Sequence, residues 1–425
     1  MRQFKCVFPW LFSLGLFCVE SFALVEGRLG KLDASATFKA SYDSRVFAMP
    51  SSDFQNIQNS DNSAGITTSD LKSEDDFILS FSPALHYANK FGLLKLSGSL
   101  GANITQYVIN DSKSFIVPTT SLSLDFDDTL ALKKRLSNNA KIRFESTFDV
   151  GQVVGASILD QDLVSYTYVS GGFNVRYNHS EKFGLGGGTS YSQRFYQTEA
   201  SNPDAPNFDF STLPLSARAF YIYSEKLDFF TNYTYSRSKA SSTGAELTSS
   251  RSHSISIGAD GEFSSKLSGS ASIGYSLMDF DNEFTSNQHN IITSLALNWK
   301  YNSKTSSSYS ISRSFTPTSS GQSTFSTNFR AGLNHRFTED WSGGGYLSLG
   351  FTDYTTATNP SPTSSNSTTN EYSMQTYGLG FNLNKKLSPI FTASGGYDYT
   401  LTSSDTSSSG SYGRHVIHGQ VTGRF

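Results

Sequence analysis

The chain has 425 residues, of which 16% are charged, against about 25% in ordinary soluble domains. The formal net charge of −3 excludes the strongly basic face that nucleic-acid binding requires. Aromatic residues make up 14%, too many for a disordered chain, and no segment after the N-terminal region reaches the ~18 apolar residues of a membrane-spanning helix. Composition therefore favours an all-β protein, either soluble or embedded in a membrane.

The N-terminus has the pattern of a secretory signal peptide. Arg2 and Lys5 precede an apolar run over residues 7–19, and small residues occupy positions −3 and −1 of a cut after Ala23. We therefore expect a signal peptide over residues 1–23, in preference to a short buried helix, and one barrel domain over residues 24–425. Both cysteines lie in the leader, so the mature chain would have no disulfide framework and no thiol metal site.

The dominant pattern in the rest of the chain is a hydrophobic period of two, which is typical of β-strands with two different faces. The last segment shows it clearly, since Ile417, Val421 and Phe425 alternate with polar residues. The first predicted strand starts at Leu32 and ends at Asp43. Sixteen further strands are predicted at 77–87, 93–106, 119–132, 140–149, 163–177, 183–196, 210–223, 227–237, 252–263, 267–278, 289–301, 305–315, 324–337, 341–352, 372–384 and 388–400.

The connections between these strands alternate strictly between short turns and long loops. The long loops are rich in Ser, Thr, Asn, Gly and Pro and fall at 43–76, 107–118, 150–162, 197–209, 238–251, 279–288, 316–323, 353–371 and 401–413. Short turns on one side and long loops on the other are typical of outer-membrane barrels. The pattern predicts an all-β fold: a transmembrane, up-and-down antiparallel β-barrel of about eighteen strands, with sixteen possible. A propeller would also repeat near 40 residues, but its strands would be half as long.

The two faces of the predicted strands differ in chemistry. From residue 163 onward the odd-numbered positions are apolar, and aromatic residues gather at the strand ends, as expected for the two membrane interfaces. The even-numbered face is rich in Ser, Thr, Asn and Gly. Asp128 falls at a position whose side chain would face the lipid, which predicts a bulge or a shifted strand boundary. Arg237 and Arg313 also face lipid, near strand ends where a long side chain can reach the interface.

Charged residues at the strand positions that face the barrel interior are the candidate functional residues. Rings of charge across a pore create a polar constriction and set selectivity. The candidates are Arg143, Arg176, Arg194, Arg218, Arg330, Asp125, Glu145, Asp228, Asp260 and Glu262. The alternative is that these charges neutralise one another in a closed barrel, and Phe220, Ile222 and Phe230 on the same face favour such packing.

The sequence gives no support for a catalytic site or a metal-binding site. The seven histidines include no pair at zinc-ligand spacing with a third ligand, and the glycine run at 184–188 starts a strand rather than a phosphate-binding helix. We predict no enzyme activity, no catalytic or metal residue and no cofactor. The glycines are instead expected to allow close strand packing.

The C-terminal segment is expected to direct assembly. Phe425, Val421 and Ile417 lie on one face of the last strand and are interpreted as an assembly signal. A free strand of this kind can be captured by strand addition, so barrel-assembly machinery is an expected partner.

Two motifs resemble a known family. The stretch Ser41-Tyr42-Asp43-Ser44-Arg45-Val46-Phe47, followed by residues 75–85 with the sequence DDFILSFSPAL, is similar to the opening of the β-barrel porin 2 family. Arg45 stands where the family usually has Asn. The resemblance implies an outer-membrane barrel, and some members accompany exopolysaccharide or sorting gene clusters. It transfers no site residue.

Together these observations predict an outer-membrane porin for passive passage of small hydrophilic solutes. The alternatives are a non-conducting structural or adhesion barrel and a barrel that assists exopolysaccharide export. The expected partners are outer-membrane lipid, assembly machinery, and small solutes or polysaccharide, without nucleic acid. We expect the bacterial outer membrane as the location, with both termini periplasmic and the long loops extracellular.

Overall fold

The structure, a computed structural model, describes most of the chain. It covers residues 25–27, 30–59, 72–92, 94–127, 139–152, 163–196, 209–241, 249–281, 287–317, 322–356, 371–405 and 411–425. The expected signal peptide and its cleavage after Ala23 lie outside these residues. Within them, no helix combines the length and apolar character needed to cross a bilayer.

The described residues form one sheet of nineteen strands in which all neighbours are antiparallel. The strands are β1 (Val25–Gly27), β2 (Gly30–Asp43), β3 (Asp76–Phe91), β4 (Leu94–Tyr107), β5 (Phe115–Asp127), β6 (Asn139–Gln152), β7 (Leu163–Asn178), β8 (Phe183–Tyr196), β9 (Asp209–Ser224), β10 (Leu227–Ser241), β11 (Ser250–Glu262), β12 (Leu267–Phe280), β13 (Gln288–Lys300), β14 (Thr305–Pro317), β15 (Gln322–Arg336), β16 (Trp341–Thr356), β17 (Glu371–Lys386), β18 (Phe391–Ser404) and β19 (Tyr412–Arg424). A helix, α1 (Ser51–Asn59), follows β2, and a 3-10 turn (Asp111–Lys113) follows β4.

The sheet closes on itself. β19 pairs with β2 from Arg424 opposite Ser35 to Val416 opposite Asp43, while the other edge of β2 pairs with β3. The short β1 pairs with β2 beyond the end of β19 and extends this seam. The eighteen long strands β2–β19 therefore form a closed ring, which confirms the predicted up-and-down barrel. Closure leaves no open strand edge along this ring in the hydrocarbon, where unpaired backbone groups are costly.

The largest error in the predicted strand boundaries concerns β5. The predicted strand 119–132 is wrong at both ends because the structure places it at Phe115–Asp127. Pro118 suggested a loop, yet it lies inside the strand opposite Ala102. The strand ends before Asp128, as expected for a shifted boundary, and Asp128 itself lies outside the described residues.

The start of β18 was also predicted too early. The strand begins at Phe391 rather than at 388. The Ser388 hydroxyl accepts the backbone N–H groups of Ile390 and Phe391, so Ser388 belongs to the preceding turn. The side chains of Ser180, Ser264 and Asn302 bind the backbone of their own short turns in the same way. These contacts explain why Ser or Asn begins many of the short turns.

The predicted face assignment is confirmed. The odd-numbered apolar residues of β11 are exposed on the outside, with Ile255 and Ile257 at 54% and 59%, while the intervening Ser256 is only partly exposed. Aromatic residues at the short-turn ends of the strands, where one membrane interface is predicted, are likewise exposed on the lipid-facing side: Tyr177, Tyr223, Phe263, Trp299, Tyr301, Phe337 and Trp341. Such amphipathic rings favour the boundary between hydrocarbon and water.

Candidate functional site in the barrel lumen

Part of the inner wall is polar and open to water. On β14 the lumen-facing residues Ser308, Ser310 and Ser312 are exposed, and so are Asn328 and Arg330 on the neighbouring β15. Their backbones pair across the two strands, as in the Ser310–Arg330 and Ser312–Asn328 pairs. This stretch of wall offers hydroxyl, amide and guanidinium groups to a solute.

A second stretch of inner wall, on β7, β9 and β10, carries two arginines on two buried phenylalanines. The Arg176 guanidinium carbon lies 4.2 Å from the centre of the Phe220 ring, and that of Arg218 lies 4.4 Å from the centre of the Phe230 ring. Cations over aromatic faces gain electrostatic attraction from the ring. Arg176 also pairs with Asp228, with 2.7 Å between Nη2 and Oδ2. The rings therefore support and orient the cations instead of simply blocking the lumen.

The glycine run provides the space for this cluster. A Cβ atom on Gly186 would lie 2.9 Å from Cε2 of Phe220, and one on Gly188 would lie 2.0 Å from Oδ1 of Asn174. Gly258 is equivalent on β11, where a Cβ would lie 2.6 Å from Cζ of Phe230. The expected role in close packing is thus confirmed, and it extends to inward side chains as well as strands.

A third arrangement joins β15, β16, β18 and β19. The Arg330 guanidinium carbon lies 3.5 Å from the centre of the Tyr346 ring. The Tyr346 hydroxyl donates to Oδ1 of Asp398 at 2.7 Å, and Nδ1 of His418 lies 3.6 Å from Oδ2 of the same carboxylate. Arg330 is therefore held over an aromatic ring whose hydroxyl is anchored to the wall.

The connection between β2 and β3 folds against the inside of the barrel. Val46, Phe47, Met49 and Phe54 are all at most 4% exposed and form one cluster with Tyr107. Ile78 and Phe115 pack against the same cluster. These two wall residues alternate with Phe77 and Ile116, which are 56% and 53% exposed on the outside. We call residues 44–59 together with 72–75 the inward segment.

Hydrogen bonds and an ion pair clamp the inward segment to the wall. Nη1 of Arg45 donates to Oε2 of Glu74 at 2.6 Å and joins the two ends of the segment, and the N–H of His415 on β19 donates to the Ser44 hydroxyl at 2.8 Å. Beside them, Nε of Arg414 donates to Oδ1 of Asp43 at 2.9 Å and joins β19 to β2. The Asp75 carboxylate accepts the hydroxyls of Ser73 and Tyr42, and these bonds hold the pKa of Asp75 below its ordinary value. The two ends of the segment are thus tied to each other and to the seam.

A buried Asp–Asn pair joins the inward segment to the next loop. Asp76 is fully buried, and its carboxylate accepts the backbone N–H groups of Val108, Ile109 and Asn110 at 2.7–2.9 Å. Oδ1 of Asn110 in turn accepts the N–H groups of Lys72 and Ser73. Buried polar groups whose hydrogen bonds are all made give a rigid arrangement.

The structure brings only some of the predicted candidates together. Arg176, Arg218 and Asp228 form one cluster, in which Asp260 stands opposite Asp228 in the strand register. Other candidates lie apart: Arg330 on β15, Arg194 beside Tyr168, and Asp125 near Ser123.

Glu262 was expected in the lumen but lies at the short-turn rim, because β11 ends at this residue. There its carboxylate accepts a hydrogen bond from Nζ of Lys226 at 2.6 Å. The side chains of Arg143 and Glu145 lie outside the described part of the chain.

Sequence reasoning missed the inward segment and its clamp. Its only sequence signal is an apolar stretch, Val46-Phe47-Ala48-Met49, inside a polar loop.

A closed ring of strands with an apolar outer belt and a polar, water-accessible interior defines an outer-membrane β-barrel porin. The chain matches the model of the family "Putative beta-barrel porin 2" over residues 50–425. The protein belongs to this family, as the motifs of its first two strands indicated. No curated protein matches the chain significantly.

Several solved outer-membrane proteins are similar in fold. Acinetobacter baumannii OccAB2 has a TM-score of 0.48 and 11% identity, over 94% of this chain and 100% of that chain. Pseudomonas aeruginosa OpdK with vanillate has a TM-score of 0.48 and 10% identity, with the same coverage. Pseudomonas aeruginosa OccK3 (OpdO) has a TM-score of 0.46 and 10% identity, over 93% and 95%. These values are too low to assign a substrate.

Proposed function

We propose that this porin passes small hydrophilic solutes passively across the outer membrane and prefers anions. The observation that supports the anion preference is that Arg218 and Arg330 have no carboxylate partner in an ion pair among the described residues. Both face the lumen. Fixed wall charge raises the local concentration of counter-ions and so favours permeation of the opposite sign.

The aromatic rings beneath these arginines strengthen the proposal. A flexible arginine in water spreads its charge over many positions, whereas a guanidinium resting on Phe230 or Tyr346 presents the charge at one place on the wall. The exposed serines of β14 beside Arg330 supply hydrogen-bond partners for a hydrated solute. Charge and hydrogen-bonding groups of this kind suit small polar anions.

The selectivity can be tested by charge reversal. Arg218→Glu combined with Arg330→Glu should shift the reversal potential in a planar bilayer toward cations, changing the anion-to-cation permeability ratio by about threefold or more. Lys385→Glu is the matched control, because this cation lies on the lipid-facing side above Trp341. A conducting double variant with an unchanged reversal potential would show that the two arginines lie away from the permeation path.

The proposed orientation places the long loops outside the cell and both ends of the barrel in the periplasm. β2 begins and β19 ends on the side of the short turns. In outer-membrane barrels the short turns are periplasmic. This orientation also leaves the β19 end accessible to periplasmic assembly machinery, which we propose as a partner.

Epitope insertion tests this orientation. Tags inserted at Ser242 or Ser364, in long connections, should be reached by antibody on intact cells, since long polar loops tolerate extension. Tags at Lys226 or Lys386, at the short turns, should be reached only after permeabilisation. Labelling of the short turns but not the long loops in intact cells would reverse the orientation.

A non-conducting barrel is the second candidate. The buried Phe220 and Phe230 and the clamped inward segment all reduce the open cross-section. Purified, refolded protein that forms no channels in a planar bilayer, although it resists unfolding in detergent, would favour this structural role over diffusion.

A further inference from the structure

Four cations face the lipid at the long-loop end of the barrel. Arg237 and Lys239 lie on the same face of β10 as the exposed Tyr233, and Arg251 lies on the same face of β11 as the exposed Ile255. Arg313 lies on the outward parity of β14, opposite Thr293 of β13. All four therefore point toward the membrane rather than the lumen.

This charge is confined to one side of the barrel. Among the strand residues whose side chains the structure describes, the only other lipid-facing cation is Lys385, at the opposite end of β17. A charge on the lipid face is unfavourable and is tolerated near the interface, where it can reach headgroups. Three such residues on the adjacent strands β10 and β11, with a fourth on β14, indicate a local partner rather than scattered interface anchors.

Two carboxylates offset only part of this charge. Nη1 of Arg237 donates to Oδ1 of Asp281 at 2.7 Å, and Nε of Arg251 lies 3.8 Å from the same oxygen. The bond from Arg237 holds the pKa of Asp281 below its ordinary value, so Asp281 remains ionised. Asp279 stands opposite Arg251 in the register. On β10–β14, four cations thus face two carboxylates, while Asp209 on β9 and Asp353 on β16 place two further carboxylates on nearby strands.

The cations retain free donors. The Arg251 side chain is 56% exposed, and Lys239 is exposed as well. Arg313 is partly exposed and stacks over Phe325, with 4.3 Å from the guanidinium carbon to the ring centre. The exposed ends of these side chains are available to an anion at the membrane surface.

The surface next to the cations is apolar and continuous with the membrane belt. Ile255, Ile273, Leu277 and Ile291 are 46–54% exposed on β11–β13. Toward the short-turn end the same strands line a groove of about 860 Å³ whose walls include Ala259, Ala271 and Leu295. A ligand that fits both parts needs an anionic head and hydrocarbon chains.

We propose that this surface binds a phosphorylated glycolipid of the outer leaflet, with the phosphates on Lys239, Arg251 and Arg313 and the acyl chains on the isoleucine face below. Phosphate suits these donors because guanidinium groups bind it with paired, charge-assisted hydrogen bonds. The inference rests on the proposed orientation, since such a lipid lies in the outer leaflet, where the long loops emerge. It does not depend on conduction through the lumen.

The test uses refolded barrel in detergent micelles with added diphosphorylated lipid A, measured by native mass spectrometry against dephosphorylated lipid A and phosphatidylethanolamine. Wild-type protein should retain diphosphorylated lipid A. Lys239→Glu combined with Arg251→Glu should lower that retention by about tenfold or more, since each basic residue near a membrane surface contributes strongly to anionic-lipid binding. The Arg237–Asp281 pair stays intact in this variant.

Lys385→Glu is the control for general loss of charge and should retain the lipid like wild type. Heat-modifiable migration on gels shows that each variant is folded. Equal retention by the double variant and wild type, or equal binding of phosphorylated and dephosphorylated lipid A, would overturn the proposal. Reversed epitope labelling would also overturn the proposal, since the cations would then lie at the inner leaflet, and unchanged retention in micelles would show that the orientation and not the binding chemistry was at fault.

Discussion

Replacing residues 47–72 with a four-residue Gly-Ser linker is expected to raise single-channel conductance by about twofold or more, because the inward segment occupies part of the lumen. A short linker can span the gap, since the N–H of Val46 already donates to the carbonyl oxygen of Glu74 at 2.8 Å. The Arg414–Asp43 pair and the Asp76 contacts remain, so the barrel wall should keep its geometry.

Two further variants make this prediction sharp. Phe47→Ser combined with Phe54→Ser removes the apolar contacts of the segment, including the stacked rings 6.1 Å apart, and should give unstable current levels rather than a steady increase. Shortening residues 357–370, a long loop elsewhere, should leave the conductance unchanged. Equal conductance of the linker variant and wild type would mean that the segment lies beside the path.

Removing Phe425 is expected to lower the assembled, heat-modifiable fraction in cells by about threefold or more, because unpaired backbone groups in hydrocarbon cost several kcal/mol each. Phe425 pairs with the first long strand: its N–H donates to the carbonyl oxygen of Ala34 at 2.7 Å, and its own carbonyl accepts the N–H of Ala34 at 2.9 Å. Its ring also packs edge-on against Phe391, with ring centres 5.9 Å apart.

Phe425→Leu separates closure of the barrel from recognition of an aromatic residue. Leucine keeps both backbone bonds and an apolar side chain, so it should assemble normally if the seam alone matters. Assembly as poor as in the deletion would instead support an aromatic assembly signal read by the assembly machinery. Wild-type levels in the deletion would contradict both explanations.

The sequence predicted the barrel closely because period two encodes each strand locally. Most long strands match to within a few residues, and β8 matches at both ends, Phe183–Tyr196. The failure at β5 has a local cause, since Pro118 is common in loops but is tolerated in this strand. The same alternation predicted that Arg176, Arg218 and Asp228 face the lumen.

The inward segment could not be predicted in this way. Its position depends on contacts between residues far apart in the chain, such as His415 with Ser44, which are separated by 371 positions. The full burial of Asp76 was not predicted either, because the family-like stretch 75–85 that contains it does not show where its carboxylate lies. Likewise, alternation placed Phe220 and Phe230 inside but could not show that arginines would rest on them.

The inward segment is fastened to the seam formed by β19, β2, β3 and β4, whereas the arginine–phenylalanine cluster lies on β7, β9 and β10, toward the opposite side of the ring. The two features also differ in height, because the segment lies at the long-loop ends of its strands and the cluster lies near the short turns. A solute that enters from the long-loop end would therefore meet the narrowing first and the arginines afterwards, on different sides of the wall. Selection by size and selection by charge should consequently respond to separate mutations.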